Sequence, residues 1–302
     1  MSPKIPLLVI SGLTATGKTS LAVTLAKKFN GQLISADSRQ IYRGLDIGTG
    51  KDHPSDMSIA LINIKNPDQN FSVSDFHRLA SKHIKKIHHS GHLPIVVGGS
   101  GYYIKSLFSP QFIPVPPHLL FRRIGNHLPL FILQFANFLL NHRQYKGLNN
   151  SEKYNRHRLI RKLEIRIFLR SLSPQISFPD YNSLHLCLVA PPSSLFKRID
   201  QRIKQRLAAG LLKEIKNLLK KYRWSDPGLN TLAYKEFSPY FAKPTVKNKK
   251  QALKLWRQDE HAYARRQLTW FKKQKSLHYL NINSPFFPGS AINLVSKWYN
   301  KL

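Results

Sequence analysis

A short apolar run that ends in a glycine-rich loop constrains this chain more than any other feature. Residues 5–11, IPLLVIS, have the composition of a buried strand, and the next segment, GLTATGKT, matches the pattern GxxxxGKT. A helical pattern follows from Lys18 to about Phe29. Strand, loop and helix in this order predict backbone amides that converge on phosphate oxygens. The residues assigned to phosphate binding are Gly12, Leu13, Thr14, Ala15, Thr16, Gly17, Lys18 and Thr19.

The side chains at the end of this loop explain its expected chemistry. Lys18 neutralises phosphate charge, and the Thr19 hydroxyl can ligate Mg²⁺, which we predict as the cofactor. The motif does not decide whether the phosphates belong to ATP, to GTP or to another diphosphate. On this loop alone, a small-molecule kinase or NTPase is the leading interpretation.

The spacing of strand and helix patterns predicts an α/β fold. Residues 5–110 alternate β-rich runs with helical patterns, as βαβ units with right-handed crossovers do, and the strand pattern returns at residues 184–190. We therefore predict a P-loop NTPase-like parallel sheet flanked by helices. Residues 1–112 and 181–302 are assigned to this core, and residues 113–180 to a small helical insertion domain.

A long amphipathic helix is expected after the last of these strands. Its pattern covers about residues 193–222, and one of the two serines at its start is the expected cap. Arg198, Arg202 and Arg206 recur at i, i+4 spacing and share one face of this helix. Either these cations bind an anion or they form a solvated basic stripe.

The balance of charge points to a polyanionic partner. Lys and Arg number 48 and Asp and Glu number 15, which gives a formal net charge of +33. Such a surplus attracts nucleic acid. The longest apolar stretch, Leu128 to Leu140, is too short to span a bilayer, and the first residues lack the pattern of a secretory signal. We expect a cytoplasmic protein that does not bind membranes.

Asp37 is the first candidate for acid–base chemistry. It lies in SADS, where the second strand pattern ends, and therefore on the same edge of a parallel sheet as the glycine-rich loop. A carboxylate in that place can face bound phosphates and take up a proton. A surface or helix-capping aspartate is the alternative that the residues alone leave open.

Five ordered segments resemble the tRNA dimethylallyltransferase family, whose members modify an adenosine next to the anticodon. They are SGLTATGKTSLA, ISADSRQIYRGLDIGTGK, FSVSDFHRLA, LPIVVGGSGYYIKSL and YARRQLTWFKK. The resemblance covers nearly all of residues 5–110 and 184–280 and is weak across the insertion. It implies transfer of a dimethylallyl group from dimethylallyl diphosphate to the adenosine N6, with release of diphosphate.

The resemblance also implies roles for particular residues. Asp37 matches the general base of the family, and Arg202 matches its diphosphate-binding arginine. Lys18, Thr19 and Mg²⁺ stabilise the departing diphosphate, with Arg198 as a further contact. The role of Arg206 stays open between diphosphate contact and a solvated charge.

Contact with the tRNA anticodon stem-loop is implied for a second set of residues. Arginines interleaved with aromatic side chains suit phosphates and unstacked bases. Ser100 stands where relatives usually carry Thr. The matching positions are Asp37, Ser38, Arg39, Gln40, Ser100, His157, Arg158, Arg161, Arg265, Arg266, Gln267 and Trp270.

The chain departs from the family pattern at three positions and in the insertion. Relatives usually carry Asp at Asn155, Gly at Ala233 and Arg at His261, and the insertion here is short and apolar. We expect an active, monomeric enzyme. The competing hypotheses are a P-loop small-molecule kinase or NTPase, and a non-catalytic basic RNA-binding protein with the same fold.

Overall fold

The structure is a computed structural model that describes residues 4–51, 57–108, 117–168, 180–274 and 276–302. The chain divides into two compact units. The first, called the core unit, contains residues 1–71, 76–108 and 179–302, and the second, called the helical unit, contains residues 72–75 and 109–178. The domain limits predicted from the sequence, residues 1–112 and 181–302 for the core and 113–180 for the insertion, remain a prediction.

The core unit is built on a parallel sheet. Among the described residues, its strands lie in the order β3, β2, β4, β1, β5, β6, and every neighbouring pair is parallel. The predicted parallel α/β fold is confirmed. The strands are β1 Ile5–Gly12, β2 Gly31–Ser35, β3 Ile59–Ala60, β4 Leu93–Val97, β5 Tyr181–Val189 and β6 His278–Asn281.

Helices on both faces bury this sheet. Leu7 to Ile10 of β1 have no exposed surface, as expected for a central parallel strand that is covered on both sides. The helices of the core unit are α1 Lys18–Lys28, α3 Gly101–Phe108, α9 Pro192–Ala208, α10 Leu211–Leu218, α11 Ser238–Ala242, α12 Val246–Lys272 and α13 Gly289–Tyr299. Helix α2, Val73–His89, belongs to this unit from residue 76 onward.

The prediction of one long helix over residues 193–222 is wrong in two respects. The chain forms two helices, α9 and α10, and breaks between them at Gly210, whose φ of 100° lies in the left-handed region. The expected serine cap is also absent, because Pro191 is the N-cap residue and Pro192 opens the helix. A proline at the first helical position is preorganised for this role, since its missing N–H has no helical partner there.

The helical unit packs around a small apolar core. Leu133 and Leu148 meet Leu159, Ile160 and Leu163 there. Helix α5 exposes Phe131, Phe135 and Leu139 on its other side. The helices of this unit are α4 Leu119–His127, α5 Leu130–Leu140, α6 His142–Lys146, α7 Asn150–Lys153 and α8 Arg156–Phe168. None of the helices in the described ranges combines the length and the apolar character that crossing a membrane requires.

A buried carboxylate ties α4 to α8 within the helical unit. The Glu164 side chain has no exposed surface, and its oxygens pair with Arg122 at 2.8 Å and Arg161 at 2.5 Å. The backbone N–H of His118 donates to it at 2.6 Å. Burial raises the pKa of Glu164, but the hydrogen bonds from the two guanidinium groups and the amide outweigh it, so the pKa lies below its ordinary value.

We predict that Glu164→Gln loosens the helical unit by about 1–3 kcal/mol, because the charge-assisted bonds are lost while the two arginines regain water. Hydrogen–deuterium exchange of the α4 and α8 amides measures the effect. Since the folded-state pKa is lowered, the carboxylate stabilises the fold at neutral pH, and its contribution fades as pH falls below about 4. The difference between wild type and variant should therefore shrink in acid.

Glu152→Gln is the matched control in the same unit. Glu152 closes the N-terminus of α7 in a capping box with Asn149, and glutamine can make the same bond. Equal loosening by Glu152→Gln and Glu164→Gln would contradict a special contribution from the buried carboxylate.

Candidate active site

The loop between β1 and α1 has the backbone of a phosphate cradle. Gly17, at φ 77°, is the N-cap of α1, and Ala15 also has a positive φ, of 60°. These turns direct successive amides toward one point at a helix N-terminus, where the helix dipole favours anions. The Thr16 hydroxyl and the Lys18 ammonium both donate to the carbonyl of Leu13, at 2.7 and 2.6 Å. These two hydrogen bonds within the loop stabilise its conformation.

Gly12 fixes where this loop leaves the sheet. A Cβ at this position would lie 2.2 Å from the carbonyl oxygen of Leu188 on β5, and its φ is 136°. Only glycine combines this close approach with that backbone angle. Gly12 is thus needed for the shape of the cradle.

A cavity of about 800 Å³ opens above the loop, and we call it the anion cavity. Its wall includes Lys18, Thr19, Asp37, Gln40, Thr49, Gly50, Arg198, Arg202 and Arg206. Helix α9 follows β5, the strand beside β1, and brings the three arginines to the loop. The Arg198 Nε donates to the carbonyl of Ala15 at 2.8 Å, which joins the helix directly to the phosphate cradle.

Arg206 lies in the wall of the anion cavity and not on a solvated face of α9. Its side chain is 13% exposed, it lines the anion cavity, and it lies 3.6 Å from the carboxylate of Glu260. Burial, aided by the positive charge of Arg202, lowers the pKa of Arg206 to about 10. The guanidinium therefore remains charged at neutral pH.

Gly50 lies directly against two of these guanidinium groups. A Cβ built there would be 2.2 Å from Nη2 of Arg206 and 2.8 Å from Nη2 of Arg202, and the φ of Gly50 is 61°. The Gln40 amide donates to the Gly50 carbonyl at 3.3 Å. Glycine at this position lets the backbone approach both cations.

Asp37 occupies the predicted edge of the sheet, two residues beyond Ser35, where β2 ends. It lines the anion cavity, and its Oδ1 accepts from the backbone N–H of Arg39 at 2.9 Å. The carboxylate thus faces the same space as Lys18 and Arg202. Asp37 also lines a small pocket of about 40 Å³, which we call the throat.

The throat lies beside a second space, the aromatic recess, of about 270 Å³, because the two share lining residues. Thr14, Lys18 and Asp37 line both the throat and the anion cavity, and Tyr263 and Gln267 line both the throat and the recess. The walls of the recess include Ser38, Ser100, Tyr102, Tyr103, Tyr263, Arg266, Trp270 and Phe271. A flat ring fits this composition better than a phosphate does.

Hydrogen bonds hold the recess to the cradle. Gln267 is buried on α12, where its amide oxygen accepts from the Thr14 N–H at 2.8 Å and its amide nitrogen donates to the Gly99 carbonyl at 3.0 Å. On the other side, the Ser38 N–H donates to the Ser100 hydroxyl at 3.0 Å. Gln267 therefore uses both ends of its amide inside the protein.

Trp270 and the nearby cations complete the recess. The Trp270 indole lies on Gly101, where an added Cβ would be 2.4 Å from the ring. The guanidinium of Arg39 lies 4.2 Å from the centre of the Tyr263 ring. Arg265 and Arg266 are exposed on the same helix, α12.

The three tRNA candidates on α8 belong to the helical unit. His157 and Arg158 are exposed, and the Arg158 guanidinium lies 3.5 Å from Glu152. Arg161 pairs with Glu164, so it supports the packing of that unit in addition to any role at the surface.

The structure places the three departures from the family pattern in defined local surroundings. Asn155 accepts from the Arg158 N–H at 3.1 Å, as the Asp of relatives can. Ala233 has φ 75°, a conformation that glycine adopts more easily. His261 contacts Asp200 at 2.9 Å and stacks on Phe196 at 4.3 Å between ring centres.

Sequence reasoning did not assign Thr49, Gly50, Glu260 and Tyr263 to the site. Gly50 and Tyr263 lie inside two of the five family-like segments, but the resemblance assigned no role to either residue. Glu260 lies outside those segments and had no signal at all.

A glycine-rich loop at the N-terminus of α1, with arginines of α9 opposite it, defines a P-loop-like protein with a cationic cavity above the loop. The family model described as IPP transferase matches residues 40–274. Because this match covers more than half of the chain, the chain belongs to the IPP transferase family.

Curated relatives are similar to this chain over nearly their full length. A tRNA dimethylallyltransferase of Lactococcus lactis subsp. cremoris (strain MG1363) is 35% identical over 296 residues, which is 97% of this chain and 98% of that protein. A tRNA dimethylallyltransferase of Roseiflexus sp. (strain RS-1) is 34% identical over 97% of this chain and 99% of that protein.

Solved structures share the fold. The tRNA isopentenylpyrophosphate transferase of Bacillus halodurans superposes with a TM-score of 0.72 at 29% identity, covering 99% of this chain and 98% of that chain. A eukaryotic dimethylallyltransferase described as acting on tRNA has a TM-score of 0.83 at 24% identity, with 99% and 80% of the two chains covered.

We predict that Gly50→Ala weakens the binding of inorganic pyrophosphate by about tenfold. A side chain at φ 61° is strained, and its Cβ displaces the guanidinium groups of Arg202 and Arg206. Isothermal titration calorimetry measures the change. Gly289→Ala is the control, since a Cβ there meets nothing within 4 Å. Equal affinity in the two variants would show that Gly50 does not shape the anion cavity.

Proposed function

We propose that this chain transfers a dimethylallyl group from dimethylallyl diphosphate to N6 of the adenosine next to the anticodon of tRNA, with release of diphosphate. One observation carries the proposal: a cationic anion cavity and an aromatic recess both share lining residues with a throat that Asp37 lines. Such a site suits a reaction between a diphosphate ester and a flat base. The names of the relatives agree with this chemistry.

The residues of the anion cavity supply the charge stabilisation. Lys18, Arg198 and Arg202 hold the diphosphate, and Arg206 adds a fourth cation at the throat. As the carbon–oxygen bond of the donor breaks, its electron pair leaves with the diphosphate, whose charge grows. Fixed cations are worth most where charge develops, about 3 kcal/mol for a typical contact of this kind.

Asp37 acts as the general base. The N6 of the adenine attacks the allylic carbon, and the proton that N6 loses passes to the Asp37 carboxylate as the carbon–nitrogen bond forms. Its position in the wall of both the throat and the anion cavity puts the base between the two substrates.

Mg²⁺ is the proposed cofactor. Thr19 would hold it, since its hydroxyl lines the anion cavity and oxygen is the donor that Mg²⁺ prefers. Within the described ranges no group of three or more His, Cys, Asp or Glu side chains could hold a metal. That donor set fits a metal held mainly by the phosphates of a substrate, as Mg²⁺ commonly is. When bound, Mg²⁺ neutralises part of the diphosphate charge.

The tRNA anticodon stem-loop is the proposed second substrate. An adenine that leaves its stack enters the recess, where Trp270 and Tyr263 offer ring faces and where Ser38 and Ser100 offer hydroxyls. Arg39, Gln40, Arg265, Arg266, Gln267, His157, Arg158 and Arg161 complete the proposed set for tRNA contact. The monomeric state and the cytoplasmic location belong to the same proposal.

The two competing functions fit the site less well. A kinase or NTPase needs a nucleotide bound at the cradle, but the cradle lies beside a throat whose lining residues are shared with an aromatic recess. A non-catalytic RNA-binding protein has no use for a carboxylate between an anion cavity and a base-sized recess. Incubation with labelled dimethylallyl diphosphate, Mg²⁺ and unmodified tRNA tests all three, because label enters the RNA only if transfer occurs.

We predict that Asp37→Asn lowers the rate of this transfer by about 100-fold to 10,000-fold, since the amide cannot accept the N6 proton. Pyrophosphate binding should stay within about twofold of wild type, because the cations of the cavity are unchanged. Single-turnover labelling of tRNA measures the first quantity and calorimetry the second.

Asp68→Asn is the control for Asp37→Asn, because Asp68 is an exposed aspartate of the same unit. It should transfer label at the wild-type rate. Full activity in Asp37→Asn would remove the general-base assignment.

A further prediction concerns the recess. Trp270→Leu should lower kcat/KM for tRNA about fivefold to 100-fold, because stacking of a base on an aromatic ring contributes about 1–3 kcal/mol. Trp270→Phe, which keeps a ring face, should lose less. Steady-state kinetics with varied tRNA measures both variants. An equal loss of kcat/KM in the two variants would show that the recess is not the base site. A matching fall in pyrophosphate affinity would show the same.

A further inference from the structure

Glu214, in the first turn of α10, holds the loop that carries Gly50. Its Oε2 accepts from the backbone N–H groups of Asp46 at 2.9 Å and Ile47 at 2.8 Å. Its Oε1 accepts from the N–H of Gly48 at 3.1 Å and from the Tyr234 hydroxyl at 2.6 Å. One carboxylate therefore binds three successive amides and a phenol. Hydrogen bonds to an ionised group are about twice as strong as neutral ones.

The loop that Glu214 holds, residues 45–51, forms one side of the anion cavity. Thr49, Gly50 and Lys51 line the cavity, whereas Glu214 is not among its described lining residues. The Gly48 carbonyl accepts from Nη1 of Arg206 at 3.2 Å. Together with the contact of Gly50 on both guanidinium groups, this bond makes the loop the support on which Arg202 and Arg206 rest.

The support behind Glu214 is rigid. Tyr234 has no exposed surface, and its ring fills the space beside Gly48, where an added Cβ would lie 2.4 Å from the ring. Burial, followed by the negative charge of Glu214, raises the pKa of Tyr234 well above its ordinary value. The phenol is therefore protonated at neutral pH and donates its hydrogen to the carboxylate.

From this geometry we infer that Glu214 is a positioning residue for the transfer reaction: it holds residues 45–51 so that Arg202 and Arg206 stay directed at the diphosphate. The inference rests on the proposed function. Glu214 does not contact the substrate in this arrangement, so it acts only through the loop and the two arginines. Its effect should therefore fall on the diphosphate substrate and leave tRNA binding unchanged.

Glu214→Gln tests the inference. An amide has one acceptor oxygen, so whichever way it faces, at least one of the three backbone N–H groups loses its partner. We expect KM for dimethylallyl diphosphate to rise about tenfold and pyrophosphate affinity to fall by the same factor, while KM for tRNA stays unchanged. A variant that only unfolds more easily would lose active enzyme, which lowers the apparent kcat and leaves both KM values alone.

Asp226→Asn is the matched control. Asp226 also accepts from a backbone N–H, that of Arg223 at 2.7 Å, but in an exposed turn, so all constants should stay at wild-type values. Tyr234→Phe is the second test if Glu214→Gln does not fold. It removes one donor from the carboxylate and keeps the ring, so KM for the diphosphate should rise about threefold.

Unchanged KM and pyrophosphate affinity in Glu214→Gln, or in Tyr234→Phe where only that variant folds, would overturn the inference. Pyrophosphate affinity also separates this result from a failure of the proposed function. If wild-type protein transferred no label to tRNA, the proposed reaction would be lost, and the calorimetric comparison would still show whether Glu214 shapes the anion cavity.

Discussion

The convergence of amides and cations on the anion cavity is the interaction on which the rest of the structure depends. The loop after β1 directs its amides there, and α9 adds three arginines from a segment about 180 residues further along the chain. Like charges brought this close repel each other unless carbonyls and carboxylates separate them. Here the Ala15 carbonyl pairs with Arg198. The Gly48 carbonyl and the Glu260 carboxylate pair with Arg206.

The two ends of the site differ in chemistry because different elements build them. The ends of the central strands and α9 supply charge, whereas α3 and α12 supply rings. Asp37 lies where these sets meet, at the end of β2 and in the wall of the throat. A parallel sheet brings the carboxyl ends of its strands to one edge, so a single fold can hold an anion and a base side by side.

Much of the fold followed from local patterns, and much of the site did not. The first strand, β4 and α1 could be predicted closely because their apolar spacing and the GxxxxGKT pattern are local signals. The break at Gly210 was missed because a single glycine is tolerated within a helical pattern. Gly50 and Glu214 could not be assigned from spacing, because their roles depend on contacts with residues more than 150 positions away. The resemblance to a family supplied Asp37 and Arg202, but it gave no role to Arg206.

Gln267 gives the molecule a property that neither pocket has alone. One amide group joins a P-loop N–H to the loop after β4, and it sits on the helix that carries Trp270. A ligand that shifted this end of α12 would therefore also shift the Thr14 amide of the P-loop. Free-energy coupling between two ligands is reciprocal, so any factor by which one ligand changes the affinity of the other holds in both directions. The order in which the two ligands arrive then changes the kinetic path and leaves the stability of the ternary complex the same.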